Sequence, residues 1–194
     1  MRNETLKELL SFVSRDGTVP LNALAERYGG FRGVTEADMD GIADTLGGDF
    51  RSAFYIKLCA ALVSRRGCDR FKFGKRHSDA EILEYLKYLF FGLADETVYL
   101  LSIDSSGRTL SCDRVGEGTV NISNVLPRKM LDVAKKRGAA RVVLAHNHPG
   151  GYAKASEDDV STTAILSELL RSSGIELSAH YVVSGAECAR IEGV

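Results

Sequence analysis

The sequence predicts an α/β protein in which a small helical part precedes a region where strands and helices alternate. Apolar residues have helical spacing over residues 1–66, and strand-like apolar runs alternate with helical ones over residues 78–194. A basic stretch, residues 67–77, separates the two. The chain has 194 residues, of which 44% are hydrophobic, so it can bury a core without disulfides. We therefore expect two domains joined by a basic linker.

Short helices are predicted in the first domain. Apolar positions recur every three or four residues in two early segments, namely Leu6, Leu9, Leu10 and Val13, then Leu21, Leu24 and Ala25. A third helix is predicted over residues 51–65, after a turn at Gly47-Gly48.

The second domain is expected to begin with a helix, because Ser78 and Glu81 have the spacing of a capping box. A buried strand at 97–103, a turn at 104–107 and a returning strand at 109–115 follow. The remaining elements are predicted in this order: a helix at 127–136, a central strand at 141–145, a helix at 157–173, and strands at 176–183 and 188–191.

Composition and charge narrow the class of protein. The formal net charge of −1 disfavours a protein held to nucleic acid or membrane by charge alone. Apolar runs stay well short of the roughly 18 to 20 residues of a membrane span, and the start, MRNETLKELL, does not resemble a signal peptide. The four cysteines are widely spaced and form no C-x-x-C pair. We expect a reduced, cytoplasmic protein without a cysteine zinc site.

The charge is unevenly divided between the two parts. Residues 1–77 hold 13 Lys and Arg against 10 Asp and Glu, whereas residues 78–194 hold 12 against 16. Within residues 65–77, seven of thirteen side chains are basic, counting His77, and two are aromatic, Phe71 and Phe73. Such a run can bind phosphates and stack on bases, which predicts a weak DNA contact. The alternative, which we favour, is a solvated linker.

Two of the four histidines lie in one short motif, at the end of the predicted central strand. His146 and His148 are two residues apart, so on a strand they point to the same face, about 7 Å apart along it. Two imidazoles placed there can bind one metal ion. A pair of polar loop residues is the plainer alternative for this spacing alone.

A carboxylate follows the histidines at a distance that makes it a third candidate ligand. Ser156 is predicted to cap a helix, and Asp159 lies in its first turn, where side chains point back toward the preceding loop. Two histidines and one carboxylate, with a position left for water, are typical of catalytic zinc. Such chemistry needs a base for the water proton, and Glu96, at the start of the first strand, is our candidate.

The motif resembles that of the JAMM metalloproteases, also called JAB or MPN. The pattern H-x-H-P, then six residues, then S-x-x-D, is met by His146, His148, Pro149, Ser156 and Asp159. Residues 144–151, LAHNHPGG, together with the segments around Glu96, 118–121 and His180, resemble the bacterial RadC family. Residues 28–66 resemble the helix-hairpin-helix region of that family.

This resemblance implies a cytidine-deaminase-like JAMM domain, a mixed sheet flanked by helices, preceded by a degenerate helix-hairpin-helix-like domain. It implies one Zn²⁺ per chain on His146, His148 and Asp159, with Glu96 as acid/base and Ser156 assisting the oxyanion. The function implied is a zinc-dependent hydrolase that cleaves a peptide or isopeptide-like amide bond in a protein or peptide substrate. A DNA-repair-associated accessory protein is the alternative.

Three departures from the family pattern are visible in the sequence. Lys129 stands where an acidic residue is usual, and Ala179 replaces the aspartate that usually precedes the histidine at His180. Asp49 falls where the hairpin would have its second glycine. Because a carboxylate repels phosphate, DNA binding by the hairpin is disfavoured. An HNH nuclease is also disfavoured, and the motif of zinc deaminases is absent from the sequence.

Overall fold

The structure, a computed structural model, describes residues 21–118 and 122–192. The helical prediction for Leu6 to Val13 therefore lies outside the described residues. The helices are α1 (Leu21–Tyr28), α2 (Phe31–Glu36), α3 (Met39–Thr45), α4 (Phe50–Cys68), α5 (Asp79–Leu89), α6 (Ile122–Arg137) and α7 (Glu157–Ser172). The strands are β1 (Thr97–Ile103), β2 (Thr109–Glu117), β3 (Arg141–Asn147), β4 (Glu176–Ser184) and β5 (Glu187–Arg190).

The five strands form one mixed sheet in the order β2-β1-β3-β4-β5. β3 and β4 are parallel, because α7 carries the chain back across the sheet, and the other neighbours are antiparallel. Alternate residues of each strand face opposite sides. One side packs on α6 and α7 through residues such as Leu144 and Leu166, and the other packs on α5 through residues such as Ala145 and Leu86. The predicted mixed sheet flanked by helices is confirmed.

The helices α1 to α4 precede the sheet in the chain. They form a separate small core of buried residues such as Leu24, Ile42 and Ala53. The Lys57 ammonium links this helical unit to the segment that follows α5. Its Nζ donates to the carbonyls of Thr35, Ala37 and Gly92 at 2.7 to 2.9 Å. None of the helices in the described ranges is long and apolar enough to cross a membrane.

Several element boundaries differ from those predicted. The helix expected to start at Pro127 begins earlier, at Ile122, and passes through the proline. Proline is favoured in a first turn but can lie further in at the cost of one backbone hydrogen bond. The short helices α2 and α3 have only six and seven residues, too few for the apolar spacing that predicts helices.

The basic segment between the two parts is packed rather than fully solvated. The Phe71 ring is only 8% exposed and stacks between His77 and Tyr85, with ring centroids 3.9 and 4.3 Å away. The backbones of Gly74 and Thr109 are joined by a 2.7 Å hydrogen bond at the start of β2. The Phe71 ring thus belongs to the core and is not free to stack on a base.

A core role for Phe71 makes a direct prediction about stability. Phe71→Ala should lower the free energy of unfolding by about 3 kcal/mol, because it leaves a cavity between two rings. Phe73→Ala is the matched control, since that ring is 43% exposed and its loss should cost under about 1 kcal/mol. Chemical denaturation followed by circular dichroism measures both. Equal effects of the two substitutions would contradict a core role for Phe71.

Candidate metal centre

The predicted site residues meet at the end of the sheet where β1 begins and β3 ends. Val98 on β1 pairs with His146 on β3, so Glu96, just before β1, lies beside the histidine motif. His148 follows directly after β3, and Asp159 lies in the first turn of α7. His146 and Asp159 are buried, at 2% and 8% exposure, whereas Glu96 and His148 are partly exposed.

The donor atoms of these side chains converge on a small volume. His146 Nε2 lies 3.1 Å from His148 Nε2 and 3.1 Å from Asp159 Oδ1. His148 Nε2 lies 3.7 Å from Asp159 Oδ2. Glu96 joins both histidines in a group whose ligand atoms all lie within 4.8 Å of one another. The two histidines are thus shared by one group with Glu96 and another with Asp159, and Ser156 lies beside Asp159 through the helix cap.

The chemistry of this donor set fits a metal ion. The outer nitrogens of both rings are engaged, since His146 Nδ1 contacts His180 and His148 Nδ1 lies 3.3 Å from the Tyr152 carbonyl. Both Nε2 atoms are thus turned inward, next to a carboxylate. Ligands on a tetrahedral zinc with bonds of 2.0 to 2.1 Å are about 3.3 Å apart, which matches the spacing found. The cluster can bind a metal ion.

A capping box at the start of α7 sets the orientation of Asp159. The Ser156 hydroxyl accepts from the Asp159 N–H at 3.1 Å, while Asp159 Oδ2 accepts from the backbone N–H and the hydroxyl of Ser156, both at 2.7 Å. Burial opposes ionisation of Asp159, but hydrogen bonds from His146 and Ser156 outweigh it, so the pKa of this carboxyl lies well below its usual range. Asp159 is a carboxylate at neutral pH.

A chain of buried hydrogen bonds fixes the proton on His146. The Thr163 hydroxyl donates to the Asp159 carbonyl at 2.5 Å, so it accepts from His180 Nδ1 at 2.6 Å. His180 Nε2 then has to accept from His146 Nδ1, 2.9 Å away. Burial, and then the neighbouring His146, lower the pKa of His180 to about 3, which keeps this ring neutral. The order of donors puts a proton on His146 Nδ1, on the side away from the site, and turns Nε2 toward Asp159.

The asparagine between the two histidines holds the strand start that carries Glu96. The sequence places the Asn147 side chain on the face opposite His146, and there its Oδ1 accepts from the Thr97 N–H at 2.8 Å. Its Nδ2 donates to the Asp95 carbonyl at 3.2 Å. These two bonds bracket Glu96, so Asn147 positions the predicted base.

The helical unit contacts the loop between the two halves of the motif. Glu36 Oε2 accepts from the Gly150 N–H at 3.0 Å, and Arg32 donates to the Gly151 carbonyl at 3.3 Å and to the Ser184 hydroxyl. Gly185 makes room for this arginine, because a Cβ there would lie 2.4 Å from Arg32 Nε. The loop that joins His148 to Asp159 is thus held by the helical unit.

The hairpin residue Asp49 is engaged within its own helix. It caps α4, with its two carboxylate oxygens accepting from the N–H and the hydroxyl of Ser52 at 3.1 and 2.5 Å. The hydrogen bond from the Ser52 hydroxyl, followed by that from the Ser52 N–H, lowers the pKa of Asp49. This carboxylate occupies the helix N-terminus that a phosphate would need.

The sequence alone did not identify the residues that orient the candidate ligands and the loop between them. Arg32, Glu36 and Thr163 are brought to this site only by the tertiary fold, so no local spacing signals them. The sequence does mark His180, because it is a polar residue in an apolar strand. That pattern does not identify its hydrogen-bond partner. The departures Lys129 and Ala179 make their contacts elsewhere, with Lys129 Nζ bonded to the Val115 carbonyl and Ala179 packed on the α5 side of the sheet.

The fold and the cluster together define a JAB-type domain of the kind that the histidine motif predicts. Residues 76–192 match the family model described as a RadC-like JAB domain. The chain belongs to the RadC family, as predicted.

Curated relatives support this membership over nearly the whole chain. A UPF0758 protein from Herminiimonas arsenicoxydans is 30% identical, with 93% of this chain and 84% of that protein covered. UPF0758 proteins from Cellvibrio japonicus and Desulforudis audaxviator are 31% and 28% identical, covering 93% and 91% of this chain and 84% and 80% of their own lengths. The name UPF0758 states no activity or substrate.

The hydrogen-bond chain through His180 predicts its contribution to metal binding. His180→Phe should weaken metal binding by about 10- to 100-fold, because His146 Nδ1 loses its acceptor. His180→Gln offers an amide oxygen in its place and should recover much of the affinity. Competition with a chromophoric chelator measures both, and the visible spectrum of the Co²⁺ form reports ligand geometry. Unchanged affinity and spectrum in the phenylalanine variant would show that His180 does not orient His146.

The contacts from the helical unit predict the mobility of the metal-site loop. Arg32→Ala and Glu36→Ala should each speed amide hydrogen exchange in residues 148–156, since each removes a bond that orders the loop. Arg27→Ala, which removes contacts to Thr45 and Tyr28 within the helical unit, should leave that exchange unchanged. Mass spectrometry of peptic fragments measures it. The same exchange rate in all four proteins would contradict a holding role.

Proposed function

We propose that this protein is a zinc-dependent hydrolase that cleaves a peptide or isopeptide-like amide bond. One observation carries the proposal: the Nε2 atoms of His146 and His148 and the carboxylate of Asp159 converge within 3.1 to 3.7 Å, with Glu96 beside them. A site with two histidines and one carboxylate leaves a coordination position for water, as catalytic zinc sites do.

Each residue has its own role in the proposed hydrolysis. His146, His148 and Asp159 hold the ion, which when bound lowers the pKa of water toward about 7 and polarises a carbonyl. Glu96 accepts a proton from the attacking water and delivers it to the leaving nitrogen. Its partial exposure supports this role, because a base that serves a bound substrate has to be reachable from solvent.

Ser156 has two roles in this proposal. Its hydroxyl caps α7 and donates to Asp159 Oδ2, which keeps that ligand in place. Turned toward the substrate, the same hydroxyl would donate to the oxyanion that forms at the scissile carbonyl. Its position between His148 and Asp159 in the chain supports such a contact.

The substrate class is proposed from the motif and from the surroundings of the site. H-x-H-P with S-x-x-D is the pattern that the JAMM metalloproteases show, and the chain belongs to a family with that domain. An accessory protein that acts by binding DNA receives less support, because the Phe71 ring is buried and Asp49 occupies the N-terminus of α4. A protein or peptide is therefore the partner we propose.

Paired variants test the proposal. Purified protein should hold about one zinc per chain by inductively coupled plasma mass spectrometry, and His146→Ala should lose it. Glu96→Gln should keep the zinc but lower hydrolysis of a peptide library by at least 100-fold, within the range expected for loss of a general base.

The outcomes separate the parts of the proposal. A zinc-free wild type that His146→Ala leaves unchanged would refute the metal assignment. Full activity in Glu96→Gln would remove Glu96 from its role while leaving the metal assignment intact. Hydrolysis that persists in a zinc-free His146→Ala variant would show that the activity does not depend on this site.

A further inference from the structure

A second polar cavity lies away from the candidate metal centre, at the other end of the sheet and on its other face. It has a volume of about 80 Å³ and is enclosed by the end of β1, the starts of β3 and β4, the end of β5 and the start of α5. The metal-site histidine His146 faces α7, whereas the cavity residues Val143, Ala179 and Tyr181 face α5. The two sites therefore share the sheet but no side chain.

The cavity is rich in positive charge. Arg141 and Arg190 line it together with His77. Arg76 reaches the same place, because a Cβ built on Gly107 would lie 3.5 Å from Arg141 Nη2 and 3.7 Å from Arg76 Nε.

The carboxylates near these arginines do not neutralise them. Within residues 21–118 and 122–192, the ion pairs closer than 4 Å do not include Arg76, Arg141 or Arg190. Asp79 is the acidic residue that lines the cavity, one carboxylate against the two guanidinium groups of Arg141 and Arg190, with Arg76 close by at Gly107. Guanidinium groups brought this close together without anions repel each other, so the arrangement favours a bound anion.

A buried hydroxyl points to the same conclusion. Ser178 lines the cavity, and its Oγ is buried and has no hydrogen-bond partner in the described structure. It lies at a β-bulge, since the β3–β4 register shifts between Val142 and Val143 and skips this residue. A bulge re-aims a side chain, and a buried hydroxyl left unpaired costs free energy. An acceptor that entered the cavity and met this hydroxyl would remove that cost.

The size and shape of the cavity limit the ligand. A cavity volume of about 80 Å³ equals between two and three water volumes. It suits one small anion and leaves no room for a nucleobase or a peptide side chain beside that anion. Arg190 is held in place, with Nη2 donating to the Ser178 carbonyl at 2.7 Å. Planar guanidinium groups and a hydroxyl are the donors that bind phosphate oxygens well.

We propose that this cavity binds a phosphate group, held by Arg76, Arg141 and Arg190 with the Ser178 hydroxyl as a further donor. The phosphate is either free inorganic phosphate or the end of a small phosphate monoester. The site is independent of the proposed hydrolase function, because it uses none of its residues.

Isothermal titration calorimetry with inorganic phosphate, and in a second arm with a nucleoside monophosphate, tests the proposal on the full chain. Wild type should bind phosphate saturably, and Arg141→Gln should bind it at least tenfold more weakly. Ala179→Asp should do the same by placing a carboxylate among the arginines. Arg114→Gln, which removes an exposed arginine paired with Glu117 on β2, is the matched control and should bind like wild type. Thermal melts check that each variant is folded, and Arg190→Gln replaces any that is not.

A final variant distinguishes phosphate binding in this cavity from phosphate binding at the metal centre. His146→Ala should retain the phosphate affinity of wild type. Loss of binding in His146→Ala, equal binding by Arg141→Gln and wild type, or no saturable binding by wild type would each overturn the proposal. Binding of inorganic phosphate alone would identify free phosphate as the ligand, and tighter binding of the monophosphate would identify a monoester.

Discussion

Two imidazole nitrogens that face each other across 3.1 Å impose the constraint on which the rest of the site depends. Together with the adjacent carboxylate of Asp159, these nitrogens surround one point with electron-rich atoms, so a positive charge placed there stabilises the arrangement. The fold keeps these atoms turned inward. His180 holds the proton on the far side of His146, and the Ser156 capping box holds Asp159 against the same point.

The topology of the sheet gathers the site from distant parts of the chain. Because β1 runs antiparallel to β3, the start of one lies beside the end of the other, which places Glu96 next to a motif 50 residues away. The Asn147 side chain then ties the two strand ends together. The helical unit adds a third contribution, since Glu36 and Arg32 hold the loop at Gly150 and Gly151. The site thus depends on both parts of the chain, although its donor atoms come from the second.

The sequence alone predicts that His146, His148 and Asp159 lie close together, because their spacing is local. A strand end, a two-residue step and a helix cap place His146, His148 and Asp159 without knowledge of the remaining fold. The same holds for the strands of the sheet, whose apolar runs and turns are continuous in the chain. Arg32 lies 119 residues from its partner Gly151, and short helices such as α2 lack a readable period. Contacts of this kind depend on packing between elements, which a single sequence does not encode in any local pattern.

Neighbouring residues on β4 face opposite sides of the sheet. This determines which part of the molecule the departure at Ala179 changes. His180 points toward α7 and the metal centre, whereas Ala179 faces α5 and lines the arginine-rich cavity. Resembling sequences usually carry aspartate at this position, where a carboxylate would lie among the guanidinium groups. Alanine leaves that charge unbalanced without touching any metal-site residue. The departure therefore alters the electrostatics of the second cavity and leaves the histidine cluster intact, so the two ends of the sheet can differ independently in what they bind.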